Sequence, residues 1–306
     1  MQEKIWTIKD IIEWSKDYFE KKGLAEARLN IELIICKILN KKRLDLYLNF
    51  DQPLKSEELK LIREYIIRRG KREPLQYILG EVEFADLKFK VDKRALIPRP
   101  ETEELVYLCN KIIKENKYQN IIDIGTGTGC IPISLKNMNN ECNFTAIDIS
   151  ENAISLAKEN STLNNINEIN WLNCNFLEFE KYEYFNNKDA SVNQIKENIF
   201  QQNYDLVISN PPYVSISEFN ELDTELKDHE PSIALTDFAD GLTFYKKLVT
   251  FSSFNLSYGG RLVAELGFNL SNLVSNLFIN EGYEVEIIKD LQKIDRIIVA
   301  KKKVNF

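Results

Sequence analysis

Histidine is almost missing from this chain: His229 is the sole one in 306 residues. A lone imidazole cannot build a metal site, and it argues against a Ser-His-Asp engine. No bound metal is expected. Cysteine is sparse too. Cys36, Cys109, Cys130, Cys142 and Cys174 are odd in number, scattered, and never spaced as C-x-x-C. That pattern points to reduced thiols in a cytoplasmic protein, not to disulfides or zinc. No stretch approaches ~18 uncharged apolar residues, so no membrane span is expected. The start, MQEKIWTIKDIIEW, is charged throughout and lacks the apolar run of a signal peptide. Positive charge is also in deficit: 40 Lys/Arg stand against 47 Asp/Glu, with a pI near 5.2. Proteins that live by non-specific phosphate contacts carry a net basic field. Generic nucleic-acid binding is therefore not expected, and only a local basic patch stays open.

The length suggests two domains, since one core rarely grows beyond roughly 250 residues. The charge divides the same way. Residues 1–75 hold 17 Lys/Arg against 13 Asp/Glu, whereas the remainder holds 23 against 34. The first 75 residues read as a bundle of four or five helices. Thr7 with Asp10 resembles a capping box, and Ile8, Ile11, Ile12, Trp14, Tyr18 and Phe19 recur on about one face. Gly23 is a plausible stop. Further helices are expected over about 25–39 and 43–50, and a fourth capped by Ser56, with Gly70 just past its end. Arg63, Arg68, Arg69, Lys71 and Arg72 cluster near the exit, either as a solvated helix end favourable to the dipole or as a partner surface.

Residues 76–98 change character. The runs EVEF and LKFKV flank Ala85-Asp86 and predict a β-hairpin linker. Residues 99–306 then alternate strands with helices. The strands are expected at 120–124, 144–148, 169–173, 204–209, 261–266, 283–288 and 296–301. The first five are short apolar runs of the kind buried on both faces of a parallel sheet. The last two are joined by too little chain for a parallel crossover, so that pair should be antiparallel. The fold class is α/β: a doubly wound, Rossmann-like seven-stranded sheet plus the small helical bundle. Residues 180–203, rich in Asn, Gln and Lys, read as a surface insertion.

Three groups of residues carry chemistry. Asp123-Ile-Gly125-Thr126-Gly127-Thr128-Gly129 follows the first strand of this region, where glycines admit a ligand close to backbone and a helix N-terminus begins. A dinucleotide fingerprint needs G-x-G-x-x-G. Counted from Gly125 its last glycine falls on Cys130, and counted from Gly127 its last falls on Pro132, so neither register fits. The pattern Asp-x-Gly-x-Gly-x-Gly instead resembles the cofactor loop of S-adenosylmethionine methyltransferases. That ligand has no phosphate and carries two cationic groups, which suits an acidic residue. Asp148 ends the next strand, where a carboxylate can accept ribose hydroxyls. Ser150 can cap the following helix and leave Asp148 to the ligand.

Asn210-Pro211-Pro212-Tyr213 follows the fourth strand. Ligands of open α/β sheets bind at the carboxyl ends of strands. Two prolines make a stiff turn whose carbonyls remain acceptors, Asn210 adds a side-chain carbonyl, and Tyr213 offers a flat wall. Two fixed acceptors suit an amino or amide NH₂. Asn-Pro-Pro-Tyr in this position is similar to the motif of methyltransferases acting on planar nitrogen, both DNA-adenine and protein-glutamine enzymes.

The rest of the chain bears on that choice. Leu96-Ile-Pro-Arg-Pro-Glu-Thr-Glu103, Glu73-Pro-Leu-Gln-Tyr-Ile-Leu-Gly80, His229-Glu-Pro231, Asp240-Gly-Leu242, Glu265-Leu-Gly267 and Ile294-Asp-Arg296 strongly resemble segments of the release-factor glutamine methyltransferase (HemK/PrmC) family. The resemblance spans nearly the whole chain. It implies an S-adenosylmethionine cofactor held by Gly125, Thr126, Gly127, Thr128, Gly129 and Asp148, with Phe176 beside the adenine and Asn175 where the family often has an acid. It implies that Asn210, Pro211, Pro212 and Tyr213 clamp the glutamine of a Gly-Gly-Gln loop in peptide chain release factors. The helical domain would recognise that protein, and a cytoplasmic monomer making no direct nucleic-acid contact is expected. Two other readings stand beside it: a DNA N6-adenine methyltransferase, which would need a basic target-recognition face, and a non-catalytic S-adenosylmethionine-binding protein.

Overall fold

A computed structural model describes residues 5–179 and 203–303. The expected insertion at 180–203 lies outside the described residues, save Asn203. The chain forms two compact units. One comprises the residues up to Gly80 together with Asp223–His229; the other comprises Glu81–Leu222 and the residues from Glu230 onward.

The first unit contains helices α1 (Ile8–Lys21), α2 (Ala27–Leu39), α3 (Arg43–Leu48), α4 (Ser56–Gly70) and α5 (Leu75–Leu79), and the short helix Thr224–His229. Thr7 and Asp10 close the capping box: the Asp10 N–H donates to Thr7 Oγ1 at 3.2 Å and the Thr7 N–H to the Asp10 carboxylate at 3.0 Å. Ile8, Ile11, Ile12 and Phe19 pack with Ile31, Ile34 and Ile62 in the core. Trp14 does not join them. It is half-exposed and stacks on Tyr18, with ring centroids 5.6 Å apart. Ser56 is the first helical residue and not the cap; the Lys55 N–H before it donates to the Glu58 carboxylate at 2.7 Å. Gly70 lies inside α4, where a Cβ would fall 2.6 Å from the Tyr18 hydroxyl. It is there for packing.

The basic cluster is largely consumed within this unit. Arg68 holds Glu73 at 2.5 and 2.8 Å. Arg69, only 5% exposed, donates to Asn30, the Glu73 carbonyl and Glu225 at 2.6, 2.9 and 2.8 Å. Arg72 reaches Asp223 at 3.4 Å.

The second unit opens with the hairpin β1 (Glu81–Phe84) and β2 (Leu87–Lys90). Ala85 and Asp86 both take positive φ, as a two-residue type I′ turn requires. Phe84 and Phe89 sink into this unit's core. Helix α6 (Pro100–Asn116) leads to β3 (Asn120–Ile124), α7 (Cys130–Met138), β4 (Asn143–Asp148), α8 (Glu151–Leu163), β5 (Ile169–Asn173), β6 (Tyr204–Ser209), β7 (Leu256–Glu265), β8 (Glu284–Lys289) and β9 (Asp295–Lys301). The sheet order is β5-β4-β3-β6-β7-β9-β8. Strands β3 to β7 pair in parallel, and β9 is antiparallel to both neighbours. Strand alternation sends Ile121 to one apolar layer with Phe89 and Leu105, and Ile122 and Ile124 to the other with Phe176 and Phe251. The direction of winding reverses at β3. The carboxyl ends of β3, β4 and β6 therefore border a crevice, the expected ligand position.

Candidate active site

A cavity of about 260 Å³ opens at those strand ends. All its lining residues belong to the second unit. Gly125 and Gly127, from the loop after β3, form one side, and a Cβ on either would meet nothing closer than Ala95, at 4.0 Å from Gly127. The remainder of that loop turns away. Thr126 and Thr128 are buried, and Gly129 packs against Ala157, Ile133 and Trp171. These three residues shape the loop and do not line the cavity.

Asp148 stands at the tip of β4. Its Oδ2 accepts the Gly127 N–H at 2.9 Å and its Oδ1 the Ser150 N–H at 2.8 Å. Burial pushes its carboxyl up, against the pull of these backbone donors. Ser150 caps α8 itself, accepting the Ala153 N–H at 3.1 Å. Each Asp148 oxygen has thus taken one backbone donor and retains acceptor capacity toward the cavity. Phe176 lines the wall, stacked on Phe179 at 5.6 Å and edge-on to Phe251 at 5.5 Å, with Leu177 and Ile149 adding apolar surface. Asn175 Oδ1 accepts the Leu177 N–H at 3.1 Å and so fixes the turn that carries Phe176.

Among the described residues, the one cationic side chain on the lining is Arg94. Its guanidinium is already held by Asp92 at 2.8 Å and Glu159 at 2.7 Å. Among the described lining residues no uncompensated cation is left to receive a pyrophosphate. An apolar slot with a carboxylate at its end fits a nucleoside that carries positive charge, as S-adenosylmethionine does.

Asn210 and Pro212, at the tip of β6, line the same cavity. Pro211 is buried beside them. Asn210 Nδ2 donates to Thr102 Oγ1 at 3.2 Å, and Thr102 Oγ1 donates to Glu265 Oε2 at 2.7 Å. Tyr213 is not a wall of the cavity. Its hydroxyl donates to Glu265 Oε1 at 3.1 Å, and its ring packs on the apolar layer behind. Two glycines make room for it: a Cβ on Gly267 would fall 2.9 Å from its ring, and one on Gly241 2.4 Å from its carbonyl oxygen. Thr102 and Glu265 are the residues that motif reading passed over. Both sat inside recognised segments, but nothing in the sequence pairs positions so far apart. Phe238, 54% exposed and at φ 57°, completes an apolar mouth with Ile233.

A family model for the PrmC N-terminal domain matches residues 10–80, and one for a methyltransferase domain matches residues 115–234. A release factor glutamine methyltransferase of Fusobacterium nucleatum is 38% identical over 298 residues, covering 97% of this chain and 79% of the relative. Those of Geobacter sulfurreducens and Rhodopirellula baltica are 34% and 32% identical, with at least 96% of each chain covered. Identity at this level over nearly the whole chain means that the chain belongs to the family of release factor glutamine methyltransferases.

Proposed function

We propose that this protein methylates the side-chain amide N5 of the glutamine in the Gly-Gly-Gln loop of peptide chain release factors, using S-adenosylmethionine. The observation that carries the reading is Asn210, whose NH₂ is engaged behind the site while its Oδ1 remains an acceptor on the cavity that Asp148 and Gly127 also line. Bound there, S-adenosylmethionine supplies an electrophilic methyl carbon. Asp148 would hold its ribose hydroxyls, and Phe176 and Leu177 would cover its adenine.

The target nitrogen is a poor nucleophile because its lone pair is delocalised into the carbonyl. Asn210 Oδ1 and the Pro211 carbonyl accept its two hydrogens and fix its approach, at about 3–3.5 Å in a near-attack geometry. The same acceptors stabilise the positive charge that grows on nitrogen. Neither lining acid is placed as a base. Asp148 holds the Gly127 and Ser150 amides, and the Asp237 carboxylate accepts the Ala239, Gly241 and Thr243 N–H groups. The proton therefore leaves to water after transfer.

The reading has the chain act as a cytoplasmic monomer on a protein, with the first unit recognising the release factor. The acidic balance supports a protein target over a nucleic acid. Among the described residues no helix is long and apolar enough to cross a membrane. The test is mass spectrometry of a release factor incubated with the enzyme and S-adenosylmethionine. A mass gain of one CH₂ on the Gly-Gly-Gln peptide is expected. An unmodified peptide, with methylation of duplex DNA in its place, would overturn the reading.

A further inference from the structure

The hydrogen bonds behind Asn210 have a direction. A threonine hydroxyl has one proton to give. Thr102 gives it to Glu265 Oε2 at 2.7 Å, so toward Asn210 the same oxygen can only accept, and it meets Nδ2 at 3.2 Å. The carboxamide therefore cannot turn over without setting two acceptors face to face. Its Oδ1 is committed to the cavity. Glu265 sets this polarity because a carboxylate only accepts, and its second oxygen takes the Tyr213 hydroxyl at 3.1 Å. One buried carboxylate, 2% exposed, thus anchors both ends of Asn210–Tyr213. Its own backbone carbonyl accepts the Tyr245 hydroxyl at 2.7 Å, which pins the end of β7. Burial pushes its carboxyl up; the Thr102 and Tyr213 hydroxyls and then Arg296 on β9 pull the other way and favour the carboxylate, and Glu101 on α6 opposes it. Arg296 is also tied to Asp290 at 3.1 and 3.2 Å, so it lends charge without displacing the two hydroxyl donors.

We propose that Thr102 and Glu265 are positioning residues that lock the Asn210 carboxamide with its oxygen toward the substrate, so that the site presents an acceptor and never a donor to the reacting nitrogen. The proposal rests on the methyl-transfer reading for its consequence, and on hydrogen-bond polarity for its content. A donor NH₂ turned into the cavity would repel the target amide's hydrogens and oppose the charge that develops there. Buried polar chains of this kind act as units, and a break at one link is felt at the end.

The experiment compares wild type with Thr102→Val, Thr102→Ser and Glu265→Gln. Thr102→Val keeps the shape and removes both bonds. It should lower kcat on a release factor by about 10²-fold, the scale of a mispositioned reacting group, with unchanged S-adenosylmethionine affinity by calorimetry. Thr102→Ser should restore most of the loss. Glu265→Gln brings an NH₂ that can donate to Thr102 and reverse the chain, so it should resemble Thr102→Val. In an Asn210→Ala background, Thr102→Val should cause no further loss, because coupled sites are not additive. A purely structural role would instead lower the melting temperature and add to Asn210→Ala.

A second readout needs no turnover. The Asn210 side-chain NH₂ signals in a ¹⁵N correlation spectrum, identified by their disappearance in Asn210→Ala, should shift and lose exchange protection in Thr102→Val and recover in Thr102→Ser. Signals that stay in place, or full kcat in Thr102→Val, overturn the proposal. Wild-type enzyme that methylates no release factor counts against the proposed function instead, and the spectrum still decides the relay.

Discussion

Two carboxylates at neighbouring strand ends, Asp148 half-buried and Asp123 fully buried, meet opposite surroundings. Asp148 is held by two backbone N–H groups at the cavity. Removing it should weaken S-adenosylmethionine binding by about 1.5–3 kcal/mol, the worth of hydrogen bonds to a charged group. Calorimetry on Asp148→Ala checks this, and an unchanged affinity would remove Asp148 from the ribose site. Asp123, one residue before the end of β3, is fully enclosed, and its oxygens lack a well-formed hydrogen bond. Burial is the chief reason its carboxyl is pushed up to about 7; the Thr126 hydroxyl pulls the other way, and the Asp148 charge adds a smaller push. The folded state thus keeps a proton that the unfolded chain releases near pH 4. Between about pH 4 and pH 7 the folded protein binds more protons, so this group's contribution to stability falls as pH rises through that window and is level above it. Asp123→Asn, without cofactor, should melt higher than wild type at about pH 8 and nearly level with it at about pH 4.5. A difference independent of pH would assign the effect elsewhere.

At the scale of the element, legibility followed locality. Strands β3 and β6 could be read to the residue because each is a short, largely buried apolar run between turn formers; β5 could be as well, but it is an edge strand with only Ile169 buried, not a strand buried on both faces. The start of β7 could not: Leu256 pairs with Tyr204 ahead of a register shift, and the stretch 257–260, with Gly259 and Gly260, breaks the alternation before Arg261. The site motifs were visible singly, but not as partners. Arg99 binds Glu230 at 2.6 Å, and Thr102 binds Glu265 at 2.7 Å. No period in the chain encodes such long-range pairs. The basic cluster was only partly legible for the same reason: Glu73, which pairs with Arg68, is close by, but the carboxylates of Arg69 and Arg72 come from Glu225 and Asp223, far along the sequence. This predicts a local effect. Glu225→Ala leaves the nearly buried Arg69 with only Asn30 and the Glu73 carbonyl, a loss of about 2 kcal/mol for a hydrogen bond between charged groups. Amide exchange should accelerate over 224–229 and stay unchanged in α1 and α2, since local opening follows local bonding. Unchanged exchange in 224–229 would mean that the segment is held by other contacts.

At the scale of the whole molecule, the chain enters the first unit twice, at its start and again over Asp223–His229. Among the described residues, the cavity's lining comes from the second unit. On the proposed reading the cofactor pocket and the glutamine clamp are built from second-unit residues, and that unit's two apolar layers draw only on its own described residues. What the first unit offers is a separate core and an outer surface with exposed Trp14, Leu44, Tyr47 and Leu48. Those exposed apolar residues, and not the arginines already paired internally, are the candidate features for holding a protein substrate. A chain beginning at Glu81 should keep S-adenosylmethionine affinity. To spare it an orphaned acidic segment, Asp223 and Glu225 can be replaced by Asn and Gln in the same variant. It should methylate a short Gly-Gly-Gln peptide at close to the full-length rate, because the peptide needs only the clamp. On an intact release factor it should lose at least tenfold in kcat/KM, with the loss carried by KM, since uniform binding and not transition-state contact has been removed. Equal losses on peptide and protein would mean that the first unit supports the fold of the second and does not recognise the substrate.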